Sequence, residues 1–211
     1  MPTTGLRDLK KARTRQLIAD TAARLFAERG YENVSVRDVA REAEVAEQTV
    51  YNYFPTKQQL VTDRAQQTQD RLCELIRSRS PGTTPAAAIR DFVLEGVAEI
   101  RKIPVDLWGG EIGHLAVISP AVHRLVLEMI DRQAAAVATA IGDTSSAPPE
   151  VAQLQGIAIG GIYQIIIGQA GERTRRGHSP ARTAKALYPI VENCLNELER
   201  WFSVSGPPLP E

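Results

Sequence analysis

Cysteine is nearly missing from this chain: Cys73 and Cys194 are the only two in 211 residues. A disulfide framework is therefore excluded, and two lone thiols far apart in helical patterns point to a reducing, cytoplasmic setting. Aromatic residues make up only 5%, and runs of alternating β-branched residues are almost absent, so no segment reads as a convincing strand. Lys plus Arg and Asp plus Glu each number 25. With no net charge there is no global basic field, and a nucleic-acid partner has to be argued from a local surface. The start "MPTTGLRDLKKARTRQ" has no apolar h-region, which argues against a secretory signal. There is also no Gly-rich phosphate loop, no paired metal-ligand motif and no nucleophile elbow. An enzyme is not expected, and neither is a cofactor.

What the chain does have is helical periodicity from end to end. Leu17/Ile18, Ala22 and Leu25/Phe26 form an apolar stripe that stops at Gly30, a good residue for a helix end. Ser35 with Asp38 three residues on reads as a capping-box-like start, followed by a short buried face of Val36, Val39, Ala40 and Ala43. A second short helix is expected around 46–53, and a longer one from near Thr56 toward Arg79. The loop-like clusters "SPGTTP", "KIP", "ISP", "GDTSSAPPE" and "RRGHSP" then separate five further helical patterns, at roughly 85–101, 104–117, 120–141, 150–172 and 180–203. The tail "SVSGPPLPE" is expected to fray. The fold class is all-α. The segment Val151 to Gly171 has no charge, but four glutamines and five glycines lower its hydrophobicity. A helix buried on several sides accounts for it better than a membrane span. Within it "GIAIG" (156–160) sets small residues one turn apart, which lets helices approach closely.

The stretch "EVAEQTVYNYFPTK" (44–57) carries the functional signal. Residues 35–54 read as short helix, tight connection, short helix, the pattern in which the second helix enters the major groove. Val50 and Phe54 face inward, with Val45 as anchor; Gln48, Tyr51 and Asn52 stand opposite, flanked by Glu47 and Thr49. Gln and Asn can bond an adenine edge in two places, and the Thr methyl can touch a thymine methyl. Tyrosine hydroxyls donate to phosphate oxygens while their rings stay packed. Lys57 sits where its ammonium and a helix N-terminus together hold a phosphate. Arg37 is placed to reach a base or the backbone, and Glu47 to accept from a cytosine amino group or to repel phosphate. The basic run "RDLKKARTR" (7–15), placed just before the first helix, is expected to lie along DNA as an arm.

These residues carry a resemblance. "RQLIADTAARLFAERGYENVSVRDVAREAEVAEQTVYNYFPTKQQLV" resembles the N-terminal domain of the tetracycline-repressor (TetR) family over about 47 collinear residues. The resemblance implies an N-terminal three-helix DNA-binding domain over 1–57, with its basic arm, and a larger helical domain over 58–211 that binds an effector and dimerises. It implies a bacterial repressor that binds a palindromic double-stranded operator as a homodimer and is released by a small molecule. It also lends DNA-contact roles to Arg37, Gln48, Thr49, Tyr51, Asn52, Tyr53 and Lys57. The family usually has Gly at the turn position held here by Glu44. The alternative is a helical dimeric interaction module, or an activator without a small-molecule effector.

Beyond about residue 60 the resemblance is architectural. The last helical pattern shows Ala184, Leu187/Tyr188, Val191, Leu195, Leu198 and Phe202 as a long apolar seam. With Ile157, Gly160 and Gln164 of the charge-free segment, Leu187, Val191, Leu195 and Leu198 are the expected dimer interface. Phe92, Glu95, Trp108, Ile112, Leu115, Met129, Tyr163 and Ile167 are the candidate effector linings, with His114 and His123 as further polar groups. Glu111 and His114 sit at i, i+3 as in bundle metal sites, but no second such pair exists and no metal is expected. Trp108 is expected at the mouth of the pocket and Trp201 at the far end of the dimer seam.

Overall fold

A computed structural model describes residues 5–204 as helices and short connections; the first four residues and most of the tail expected to fray lie outside that range. No strand occurs among the described residues, as the lack of alternating β-branched runs predicts. The first helix, α1 (Leu6–Arg29), buries Ile18, Ala22, Leu25 and Phe26 on one face. It ends at Gly30, whose N–H still reaches the Phe26 carbonyl at 3.0 Å and whose φ of 77° turns the following chain out of the helix. The basic run 7–15, expected ahead of the first helix, lies inside it. No Pro or Gly interrupts the run, so the helix continues through the charges.

Helix α2 (Val36–Glu42) starts on the capping box expected from Ser35 and Asp38. The Asp38 N–H donates to Ser35 Oγ at 3.1 Å, and the Ser35 N–H donates to Asp38 Oδ2 at 3.0 Å. Helix α3 (Glu47–Tyr53) follows after the turn, and α4 (Gln59–Arg77) leads away from it. Helix α5 (Pro85–Glu99) begins with Thr84 as cap and Pro85 at its first position, then tightens into a 3-10 turn at Ile100–Lys102. Helix α8 (Pro120–Gly142) starts in the same way with Ser119 as cap before Pro120, and α9 (Pro149–Arg175) and α10 (Pro180–Val204) follow.

The single helix expected over 104–117 is two, α6 (Val105–Trp108) and α7 (Ile112–Ile118), separated at Gly109 and Gly110. The reason is tertiary. A Cβ on Gly110 would lie 1.8 Å from the Ala23 carbonyl oxygen, so the backbone here packs directly on α1. Glycines also let α7 and α9 cross, because a Cβ on Gly171 would lie 2.0 Å from the Gly113 oxygen. Gly156 packs in the same way against the backbone of α8, 2.4 Å from Ala134 O by the same measure. Thus "GIAIG" serves helix approach within the subunit. Helix α9 is long and apolar enough by composition to span a membrane, yet α7, α8 and α10 all pack on it.

Two apolar cores result. One joins α1, α2, α3 and the start of α4 to Leu115 and Ala116 of α7 and Val122 and Val126 of α8. The other gathers the end of α4, α5, Trp108, the end of α8, α9 and α10. Arg90 of α5 donates to Asn196 at 2.6 Å and Glu199 at 2.9 Å, closing α5 onto α10. Leu187, Val191 and Leu195 are 0% exposed and belong to this second core, and Leu198 is half-buried against it. The expected intersubunit seam of α10 is therefore an internal one: its apolar face is taken up by α5 and α9. Gly160 is corrected likewise, since it faces Ala134 and Ile130 of α8.

Replacing Gly110 by Ala should lower stability by about 1–3 kcal/mol, because Cβ and the Ala23 backbone cannot share the space. Gly96→Ala in α5, where an added Cβ meets nothing within 4 Å, should instead be neutral or stabilising by up to about 1 kcal/mol. Urea unfolding of the two variants measures both. Equal midpoints would refute the close contact.

Candidate nucleic-acid interface and ligand cavities

The turn between α2 and α3 is built by three backbone bonds. The Ala43 N–H reaches Val39 O at 2.9 Å, the Glu44 N–H reaches Arg41 O at 3.3 Å, and the Val45 N–H reaches Ala40 O at 3.0 Å. The last two form a Schellman ending, which requires a left-handed residue at Glu44. Glu44 has φ of 54° and is the one non-glycine with positive φ among the described residues. The turn thus keeps its geometry at the cost of placing a Cβ where glycine would be unstrained.

That turn orients α3. Val50 and Phe54 are 0% exposed and anchor the helix in the first core, with Val45 packed beside them. Gln48, Tyr51 and Asn52 are exposed on the opposite side, Thr49 and Tyr53 are half-buried, and Arg37 of α2 is exposed. Gln48 Nε2 donates to Asn52 Oδ1 at 3.2 Å, one helical turn apart. All the side chains expected to read DNA fall on α2, α3 or the turn before α4, and α3 presents its polar set on one face. Glu47, exposed at the start of α3, flanks it.

Lys57 lies in the turn before α4, with Nζ 4.2 Å from the centre of the Tyr31 ring. Burial pulls its pKa down and the nearby Glu32 carboxylate partly offsets this. Glu32 in turn accepts from the Ser119 hydroxyl at the junction of α7 and α8, which holds its carboxyl below the usual range. Arg15, expected on the DNA-facing arm, points inward. It pairs with Asp63 of α4 through both Nε and Nη2, donates to the Tyr53 carbonyl at 3.0 Å, and stacks 4.7 Å from the Phe54 ring. A planar guanidinium fits that combination of fork and stacking better than an ammonium would. No charge count in the sequence distinguishes it from its neighbours; its partner Asp63 lies 48 residues away.

Two adjacent cavities, each about 200 Å³, open around the start of α7. The first lies between α1, α4, α8 and α9, and Ile112, Met129, Tyr163 and Ile167 line it as expected. The second has Trp108, Ile112, His114 and Ile167 in its wall. Glu111, Ile112 and Ile167 border both. The other candidates go elsewhere. Leu115 is fully buried in the first core, and Phe92 packs on the second. Glu95 and His123 are exposed, away from either cavity. Trp108 is more deeply placed than a pocket mouth: it is buried, with Nε1 donating to His178 O at 3.0 Å. Asp20 and Gln133 also line the first cavity, and periodicity alone did not single them out. His114 Nδ1 and Gln133 Nε2 are buried without a hydrogen-bond partner among the described residues, and burial lowers the pKa of His114. No group of three or more His, Cys, Asp or Glu suited to a metal occurs among the described residues. Trp201 is 40% exposed at the end of α10.

Residues 18–63 match the model of "Bacterial regulatory proteins, tetR family". Among curated proteins, the HTH-type transcriptional regulator YuxN of Bacillus subtilis is 32% identical over 76 residues, 36% of this chain and 26% of that protein. The HTH-type transcriptional regulator AcrR of Shigella flexneri is 29% identical over 130 residues, 56% of this chain and 60% of that protein. The chain therefore spans roughly a quarter to three fifths of the curated relatives it matches. The crystal structure of NalD, the secondary repressor of the MexAB-OprM multidrug efflux pump in Pseudomonas aeruginosa, shares the fold. It superposes with TM-score 0.51 at 18% identity, covering 88% of this chain and 96% of that one.

Glu44→Gly should raise stability by about 1 kcal/mol, since glycine occupies the left-handed region without the Cβ clash. Thermal unfolding of the variant is the check. A lower midpoint would mean that the Glu44 side chain stabilises the turn in another way.

Proposed function

We propose that the chain, whose residues 18–63 match the model of the TetR family of bacterial regulatory proteins, works as a dimeric repressor, released from a palindromic operator by a small effector. The observation that carries the reading is the polar face of α3. Gln48, Tyr51 and Asn52 stand exposed on a helix whose other side is fixed by fully buried Val50 and Phe54. A helix seven residues long holds such a set rigidly only because its inner face is so anchored. In this reading Gln48 and Asn52 read base edges, Thr49 contacts a thymine methyl, and Arg37, Tyr51, Tyr53 and Lys57 grip the backbone. Gln48 and Asn52, already bonded to each other, are pre-oriented for the groove.

Dimerisation, in this reading, uses the outward side of α9. Leu154 and Ile157 are each 54% exposed and Ile165 38%; with Gly161 and Gly168 they run down one side at steps of three and four. An added Cβ on Gly161 or Gly168 meets nothing within 4 Å, which leaves room for a neighbouring helix. Gln164 is exposed beside the stripe. The two cavities beside α7 are the effector sites on this reading.

Two experiments test it. Asn52→Ala or Gln48→Ala should weaken operator binding by about 1–3 kcal/mol and relax preference at one base position. Lys57→Ala should weaken all sequences evenly and lower the salt slope by about one unit. Gel shifts on operator and scrambled DNA across a salt series separate them, and a loss of base preference in the Lys57 variant alone would reverse the roles. Ile157→Glu should put a charge in the proposed interface, give monomers in sedimentation and weaken operator binding. A dimer that survives this substitution would move the interface elsewhere.

A further inference from the structure

We propose that the cavity between α1, α4, α8 and α9 takes a small organic cation bearing a hydrogen-bond acceptor, held by Asp20 and Gln133. Asp20 is on α1, the first helix of the reading head, and lines the cavity. Its carboxylate accepts from Gln16 Nε2 at 2.6 Å and has no ion-pair partner among the described residues. Asp63, which also lines the cavity, is neutralised by Arg15. No Lys, Arg or His is among the described lining residues, whereas Asp20 is a carboxylate there, which favours a cation over an anion.

Gln133 supplies the second, independent observation. It is 2% exposed on α8 and lines the same cavity, and its Nε2 finds no partner among the described residues. A buried amide of that kind is costly unless something accepts from it, so an apolar ligand is the wrong class. The remaining wall is suited to a cation's body. Met129, Ile112 and Ile167 give apolar surface, and Tyr163 adds an aromatic one. Burial pushes the pKa of the Tyr163 phenol up, so it stays neutral. At about 200 Å³ the space is below the roughly 300–1,000 Å³ of drug-sized sites. The ligand is accordingly small, an ammonium group and an acceptor on one short frame.

The inference deepens the effector reading above and rests on it only for its regulatory meaning. A cation drawn to Asp20 pulls on the reading head itself, whereas Gln133 belongs to the helical body. The ligand would therefore bridge the two parts whose relative placement sets the position of α3.

Acetylcholine, with an ester carbonyl and a quaternary ammonium on one short frame, is a suitable probe. Its uncharged isostere, 3,3-dimethylbutyl acetate, replaces the nitrogen by carbon. Calorimetric titration of the DNA-free full chain should show the cation binding at least about tenfold more tightly than the isostere. Asp20→Asn should remove most of that preference while leaving the isostere unchanged, and Gln133→Leu should weaken both ligands about fivefold, as the loss of one hydrogen bond would. Gln133→Leu should also unfold at a higher temperature than the parent, since an unpaired buried donor is gone; an amide that served only the fold would lower it. Absence of cation binding, equal affinity for the isostere, or a preference untouched by Asp20→Asn would overturn the inference. Gel shifts on the same preparations keep the two readings apart. Sequence-specific DNA binding without cation binding refutes the ligand class alone, and cation binding without DNA binding refutes the regulator reading alone.

Discussion

The feature on which the rest of the molecule depends is the shared apolar core between the reading head and the body. Ile18, Phe26, Val39, Val50 and Phe54 of the head bury with Leu115 and Ala116 of α7 and Val122 and Val126 of α8. Full burial of side chains of this size stabilises by about 1.5–3 kcal/mol each. The short helices α2 and α3 could not be stable in isolation at seven residues. Their polar outer face is available for a partner because the inner face is held from behind.

Directional contacts then fix the angle at which that core is assembled. Gly110 brings the α6–α7 backbone onto α1 with no side chain between them. Arg15 clasps the end of α3 to α4, and Glu32 bonds Ser119 across to the top of α8. Each of these joins a residue of the head to one outside it or to the helix that leaves it. Packed interfaces of this sort have few alternative arrangements, so a change in the body reaches α3 as a rigid displacement rather than a local softening.

How much of this was legible in the sequence follows from the range of each interaction. The Ser35–Asp38 cap, the stop at Gly30 and the two-faced pattern of α3 depend on neighbours a few residues away, and they appear as written. The seam of α10 was legible as apolar, but periodicity says only that a face is buried and never against what. Leu187, Val191 and Leu195 proved to be covered by the same chain. Arg15 and Gly110 failed to be read for the same reason, since the Asp63 and Ala23 that give them meaning are distant in sequence. Four of the eight candidate cavity residues converge on one space, while Asp20 and Gln133 were hidden because a carboxylate or amide on a helix looks the same whether it faces solvent or a cavity.

Placement of the first cavity bears on what a ligand there could do energetically. A ligand shifts a conformational equilibrium only by its difference in affinity for the two states, and couplings of about 1–3 kcal/mol suffice for 5–150-fold changes in a second affinity. Contacts made wholly inside one rigid part change little when that part moves. The first cavity is walled by α1 and α4 on one side and by α8 and α9 on the other, so any change in the angle between head and body changes its shape directly. Among the described residues the second cavity has no wall from α1 to α4, and it shares Glu111, Ile112 and Ile167 with the first. By this geometry a ligand of given affinity biases the head more from the first cavity than from the second.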